Sequence, residues 1–447
     1  MMEKKKKGFW TLRYAGINMT YFAVFCGIHA YASVFLLDKG FTNTQIGFCL
    51  AIANILSVFV QPYFAGLIDK QGKLTNRNVS IGATLLLILG SLLLLVIKNS
   101  TVVIFIIYAL IYMIQMSYQP LIIAMNFEYE QAGCNIAFGL ARGLGSAGFA
   151  VTSALIGGVV ARHGVDVLQI TDILILCLSL ILIFTFVKPS GENAEALSQQ
   201  SSGVTTDSGA HNNVIDFARE YPLFVVFLIA TVCFFFAHNA INDYLIQIIT
   251  PLGGDEAQMG YAIFIAALLE LPTMALISVI IKKISPSVLL IFAGVMFLIK
   301  MIFLTLATGM VGVYISEACQ IGAYAVFIPV AAYYVNQTMA AADQVKGQAY
   351  VNCGITLGGV FSGVICGRIL DAYGPTVMLL IGCVVTVIGI VLTCIAVLFA
   401  HGCVLRAIEY GLKSPIVTSR STHPCAKRTV PKVAVHVQKG PSPKTLP

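Results

Sequence analysis

The sequence predicts an all-α membrane protein of twelve transmembrane helices, arranged as two six-helix pseudo-repeats. Three observations carry this reading. Of 447 residues, 58% are hydrophobic and only 11% are charged, whereas a soluble domain is about 25% charged. Mean hydropathy is +0.88. The apolar residues fall into twelve long runs, and the two halves of the chain carry matching signals at matching places. A water-soluble globule, a secreted disulfide scaffold and a disordered chain are excluded by the same numbers.

The runs lie at about 12–37, 44–68, 79–98, 101–126, 136–162, 167–187, 222–249, 257–281, 286–307, 310–336, 344–370 and 374–400. A helix needs about 20 apolar residues to cross some 30 Å of hydrocarbon, so each is long enough to span. Residues 1–187 form the first six-span half and 222–400 the second. Residues 188–221 form a linker, with a Ser/Gly/Asn-rich stretch from Ser190 to Asn213 and a short amphipathic piece from Val214 to Tyr221. Such a composition joins two rigid bodies flexibly.

Twelve is even, so both termini share one side. The N-terminus and the even-numbered loops carry Lys4 to Lys7, Arg13, Lys70, Lys73, Arg77, Lys188, Arg219, Lys282, Lys283 and Lys346. The odd loops carry Lys39, Lys98, Arg162 and Arg368. The positive-inside rule therefore predicts a multi-pass protein of the cell (cytoplasmic) membrane with both termini in the cytoplasm. The +7 net charge belongs to residues 401–447, which hold eight Lys/Arg against Glu409 alone and six of the 15 prolines. That tail shows no helical or strand period and is expected to be disordered, with weak attraction to anionic lipid.

The halves resemble each other in detail. Span two opens with Gln45-Ile46-Gly47, and Asp69 follows Gly47 by 22 residues; span eight opens with Gln258-Met259-Gly260, and Lys282 follows Gly260 by 22. Spans five and eleven are both Gly-rich and end at His163-Gly164 and Tyr373-Gly374. Two repeated halves are the pattern of alternating-access carriers, whose site lies between them near the bilayer midplane.

The loop after span two, Gly66-Leu67-Ile68-Asp69-Lys70-Gln71-Gly72-Lys73, resembles the signature of the major facilitator superfamily, with Ala65 where the usual first glycine stands. The resemblance implies that Gly66, Asp69 and Gly72 serve a cytoplasmic gate latched by Asp69. Within the superfamily, Phe138-Gly139-Leu140-Ala141-Arg142 is similar to a segment of the lactose-permease-like group of oligosaccharide and nucleoside proton symporters, whose arginine contacts sugar. Lys300 stands where that group carries an intramembrane Arg, Gln320 where it carries a His, and Ala323 where it carries its proton-coupling Glu. The span-eight carboxylate is Glu270, one turn beyond Ala267. Gly157-Gly158 lack the proline of the superfamily's antiporter signature, which leans against a drug/proton antiporter.

The residues themselves point to proton-linked transport. Glu270 lies about 20 Å into span eight by helical rise. A carboxylate there costs roughly 3 kcal/mol unless it is paired or protonated, so it suits proton exchange. Pro272 frees the Leu268 carbonyl and can kink the helix. Lys300 and Glu317 fall at equal depth, about 10 Å in, on neighbouring antiparallel spans, and are expected to pair. Proton coupling is assigned to Glu270 and Glu317. Glu317, Gln320 and Tyr324 follow i, i+3, i+7 on span ten. Arg142 is positioned to hold hydroxyls or a carboxylate, with Asn126, Glu128 and Glu130 at similar depth as partners. Gln115, Gln119, Asn239, Asn242 and Asn352 add interior amides, which normally face the bundle. Together with Arg142, Lys300, Gln320, Tyr324 and Asn126 they form the predicted substrate lining. His29 and His238 read as packing or water-contacting residues.

Other motifs are set aside. Gly143 to Gly148 fits GxGxxG, but no strand precedes it, so close helix packing accounts for it. The twelve cysteines contain no CxxC and read as small buried hydrophobes. No Walker, HExxH or GxSxG sequence occurs. The expectation is a non-enzyme without cofactor or metal, driven by the proton gradient. It is expected to work as a monomer, with a small-molecule substrate and membrane lipid as partners and no nucleic acid. The rivals are an efflux or organic-anion carrier of the same fold, and a carrier-like sensor that binds without transport.

Overall fold

The computed structural model describes residues 2–71, 74–98, 100–188, 214–340 and 343–413; the side chains of 2–8, 65–67, 69–71 and 398–413 are outside the description. The described residues form helices and no strand. Among the described residues ten helices are long and apolar enough to cross a membrane, or eleven when the bent pair that makes span one counts once. The last, Gln344–Lys413, contains a non-helical residue at Gly374 (φ 79°, ψ 179°). Divided there it supplies spans eleven and twelve, which brings the bundle to the predicted twelve. A positive φ is costly for any residue with a Cβ, so glycine marks this turn.

The described residues up to Ala396 form one compact unit, and the described residues from Val397 on belong to a second. The final helix continues to Lys413, past its expected end at 400. Of the tail 401–447, expected to be disordered, residues 401–413 continue this helix instead; 414–447 and the flexible stretch from Ser190 to Asn213 lie outside the described residues. The amphipathic piece forms a short helix, Val214–Glu220. It is followed by Tyr221, whose hydroxyl donates to Asp343 Oδ2 at 3.1 Å.

Spans one and ten depart from a regular helix. Span one is helical to Phe25, takes a π-helical turn at Cys26–Ala30, and bends by 48° before Ala32–Asp38. Span ten is helical over Met310–Ala318, tightens to a 3₁₀ turn at Cys319–Ile321, and restarts at Tyr324–Thr338 after a non-helical Ala323 (φ −87°, ψ −96°). The i, i+3, i+7 face expected for Glu317, Gln320 and Tyr324 is therefore broken. Gly322 is the physical reason: it is a poor helix former, and a Cβ there would fall 2.8 Å from Met296 of span nine.

Hydrogen bonds joining the first six spans to the last six are found at one end of the bundle, the end of loops 38–42 and 371–374. Asp371 of span eleven accepts from the Asn43 N–H at 3.1 Å and the Thr44 N–H at 2.8 Å, capping span two from the opposite half. Gln247 donates to Asn43 Oδ1 at 3.0 Å, and Ser33 Oγ donates to the Asp243 carbonyl. Two glycine crossings complete this sealed end. Gly47 of span two abuts the Gly363 carbonyl of span eleven, and Gly260 of span eight abuts the Ser153 carbonyl of span five. Tyr244 donates to Gly363 O at 2.7 Å and Tyr31 to Ser153 O at 2.9 Å, one phenol at each crossing. The Gln-x-Gly repeat of the sequence thus marks a pseudo-symmetric seal. Replacing Asp371 by alanine removes a cap worth about 1 kcal/mol; a fall in thermal stability together with faster solute access from this end is the expected result.

Elsewhere in the small-residue run of span five, Gly145 packs on Phe22 and Asn18, and Gly148 on the Met19 backbone. Both let span one approach closely. Gly143 faces open space.

Candidate functional site

The chemistry of the bundle interior centres on spans eight, nine and ten. Lys300 Nζ donates to Glu317 Oε2 at 2.8 Å and to Gln320 Oε1 at 2.9 Å. Gln320 Nε2 then donates to Glu270 Oε1 at 3.0 Å. One amide therefore receives from the ammonium and gives to the second carboxylate, a use of both its ends that fixes its orientation. The tightened 3₁₀ turn at 319–321 is what places Gln320 between the two. Lys300 is 1% and Glu317 2% exposed. Glu270 is only half-buried. The network has a dry end at the ion pair and an accessible end at Glu270. Ser316 Oγ donates to the Lys300 carbonyl at 2.7 Å and ties spans nine and ten together at the same level.

Arg142 comes from the first half. Its guanidinium lies over the Phe22 ring at 4.1 Å and donates to Ser146 Oγ at 3.0 Å. It stands within electrostatic reach of Glu270 and Tyr324 of the second half. The expected partnership with Glu128 is not what the structure holds. Glu128 pairs with Lys188 and accepts from Asn76 at 2.9 Å, because the end of span four turns it toward the linker-side loops. Glu130 is exposed.

Tyr324 stacks on His238 of span seven, with ring centroids 5.0 Å apart and planes at 18°. Asn242 Nδ2 lies 2.8 Å from His238 Nε2. Asn239 donates back to the Phe235 carbonyl at 2.7 Å and faces Gly359 of span eleven. The remaining amides are not gathered here. Gln115 is fully buried and donates to the Tyr21 carbonyl at 3.1 Å, while Tyr21 returns a bond to the Gln115 carbonyl at 2.8 Å. That exchange stitches span four to span one and uses the side chain for packing. Gln119 follows an interruption of the helix at Tyr118 and is half-buried. Asn126 is fully buried with neither amide atom bonded, and Asn352 is exposed. Of the gate residues, Gly66 and Asp69 lie on the last turns of helix Asn43–Gln71 with their side chains outside the described residues, and Gly72 lies outside them altogether.

The structure also shows groups that the sequence reading passed over. Asp172 in span six is an acid inside an apolar run, the same signal that marked Glu270. Asp371 falls just past the predicted end of span eleven. Tyr31 and Tyr244 carried no signal beyond being aromatic. Among the described residues no group of three His, Cys, Asp or Glu side chains is arranged to hold a metal ion.

Two six-span halves bonded to each other at one end, with a polar network inside the second half, describe a membrane transporter. The family comparison agrees: residues 11–401 match the MFS_1 like family, and the chain belongs to that family, a transporter rather than an enzyme. Among solved structures it is similar to the nucleoside transporter NupG (14% identity, 87% of this chain and 98% of that one, TM-score 0.69). It is similar also to a substituted form of that protein (14% identity, 87% and 99%, TM-score 0.71). At this identity the likeness is one of fold. Comparison with curated proteins finds no match.

Proposed function

We propose that the chain is a proton-coupled symporter that carries a small polar solute (a sugar, oligosaccharide or nucleoside) by alternating access. The observation that carries this reading is the chain of contacts from the Lys300–Glu317 pair through Gln320 to Glu270, which ends within reach of Arg142 in the opposite half. A proton on Glu270 alters its bond to Gln320 and its attraction to Arg142 together. That gives the protonation state a direct grip on the contact between halves, which is what coupling requires. Glu317 tunes the network through Lys300.

Arg142, Asn239, Asn242, Gln320 and Tyr324 border the path as donors and acceptors for hydroxyls. The paired rings of Tyr324 and His238 suit a flat base or a sugar face. NupG, which shares the fold, is a nucleoside transporter. That supports nucleosides within the class. By the positive-inside rule the sealed end is extracytoplasmic and the termini are cytoplasmic, so the conformation described takes its solute to and from the cytoplasm. Asp69 with Gly66 and Gly72 would latch that side in the alternate state.

A second reading, an organic-anion carrier, is favoured by the Arg142 guanidinium, which donates to Ser146 Oγ and has donors to spare for a carboxylate. Competition of uptake by nucleosides against aromatic acids separates the two. The direct test of coupling is Glu270→Gln in proteoliposomes. Counterflow is expected to persist while uphill uptake under an imposed proton gradient is lost. Uphill uptake equal to that of the unsubstituted protein would sink the proposal.

A further inference from the structure

Asp172 lies in span six, a turn and a half inside the sealed end. It is fully buried, and neither carboxyl oxygen has a hydrogen-bond partner. The neighbouring acid on the same helix, Asp166, takes the lysines of this end: Lys39 Nζ at 2.7 Å and Lys98 Nζ at 3.1 Å. The carboxyl of Asp172 instead presses on Gly27 of span one, where a Cβ would fall 2.8 Å from its Cγ and Oδ2.

The groups around it are neutral. Span one presents Cys26 and Gly27, and span four presents Tyr108, whose hydroxyl is committed to the Ile28 carbonyl at 2.8 Å. Cys26 and Tyr108 are the titratable side chains within electrostatic reach. On span six itself, Gln169 is buried one turn earlier with Oε1 unbonded; at the same depth on span three, Ser91 is buried with its hydroxyl unbonded. Among the described residues no Lys, Arg or His side chain bonds Asp172. An ionised carboxylate in such a place, with no counter-charge and no donor, is prohibitively unfavourable. A neutral acid is not.

The wall it presses on is special. Gly27 belongs to the π-helical turn Cys26–Ala30, a geometry that concentrates at functional sites. Beyond it span one bends by 48°. Past the bend, Ser33 is bonded to the Asp243 carbonyl of the second half. The segment that covers Asp172 is thus tied across the seal.

We propose that Asp172 is a second proton-binding site, a carboxylic acid that carries its proton in the sealed conformation and releases it when the seal opens. Opening breaks the Ser33–Asp243 bond, the π turn relaxes, and water reaches the carboxyl. The O–H proton passes to that water, leaving a hydrated carboxylate. A hydronium ion returns the proton before the seal reforms. The proton leaves and returns on one side, so this site does not rest on the chain being a proton-driven carrier.

The test is infrared difference spectroscopy of the full chain in lipid vesicles, in H₂O against D₂O. Asp172→Asn is expected to fold, since the amide is a neutral isostere of the acid, and to remove one protonated-carboxyl band that Glu270→Gln leaves in place. The proposal is overturned if no band is lost, if Asp172→Asn fails to fold, or if added sodium abolishes the band in the unsubstituted protein, which would make the site a cation site. Should Glu270→Gln retain uphill uptake while the Asp172 band is present, the coupling role of Glu270 falls and the proton site stands.

Discussion

Replacement of Lys300 by alanine is expected to destabilise the protein by about 3–5 kcal/mol, the cost of leaving one partner of a buried pair uncompensated. Glu317 would then be a carboxylate 2% exposed, with Oε1 already unbonded and its Oε2 donor removed. Gln320 would lose the bond at its Oε1 and with it the constraint that points its amide at Glu270. The double variant Lys300→Ala, Glu317→Ala removes both charges and is expected to recover most of the loss, because the penalty lies in the unpaired charge and not in the absent bridge. Thermal unfolding of the purified single and double variants measures this. A double variant no more stable than Lys300→Ala would show that the pair does not compensate within this network. Transport should separate the two roles: the double variant keeps a fold but loses the Gln320 orientation, so its uphill uptake is expected to stay low even where stability returns.

The second large effect is expected at the seal. Gly47 lies against the carbonyl of Gly363, closer than any Cβ could sit. Valine there cannot be met by moving a flexible side chain, because the obstacle is backbone. Overpacking of this kind costs about 1–3 kcal/mol, and the whole of it falls on the sealed conformation. That is about a 5- to 150-fold shift toward the conformation open at this end. Gly260→Val, against the Ser153 carbonyl, should act in the same direction by the pseudo-symmetry. With Asn43 replaced by cysteine as a reporter, an impermeant maleimide is expected to label the Gly47→Val background faster, and net uptake should fall while solute binding persists. Equal labelling rates in the two backgrounds would show that the crossing does not govern closure.

What was legible in the sequence follows physical rules that act locally. Charge scarcity and run length determine that the chain spans a membrane, since a backbone in hydrocarbon must bond to itself. The expense of a lone charge in a span singled out Glu270, Lys300, Glu317 and Arg142, and equal depth on adjacent antiparallel helices paired Lys300 with Glu317. The same rule would have reached Asp172 had it been applied to span six. Periodicity failed where the helix itself fails. Span ten tightens to a 3₁₀ turn at Cys319–Ile321 and leaves the helix at Ala323, so the face drawn through Glu317, Gln320 and Tyr324 does not exist, and Tyr324 finds His238 instead.

The sequence by itself determined the class of fold, the two-half organisation, the sidedness of its basic residues and the short roster of charges inside the membrane. Each of these depends on how many residues of a type occur and where along one helix they fall. Only the tertiary structure decided that Gln320 bridges Lys300 to Glu270, that Arg142 lies over Phe22 while Glu128 takes Lys188, and that Gln115 is spent on holding span four to span one. It alone showed that the repeated glycines at 47 and 260 close one end of the bundle. Those outcomes depend on how each helix is rotated and how near its neighbour comes, and a helix fixes neither until others pack against it.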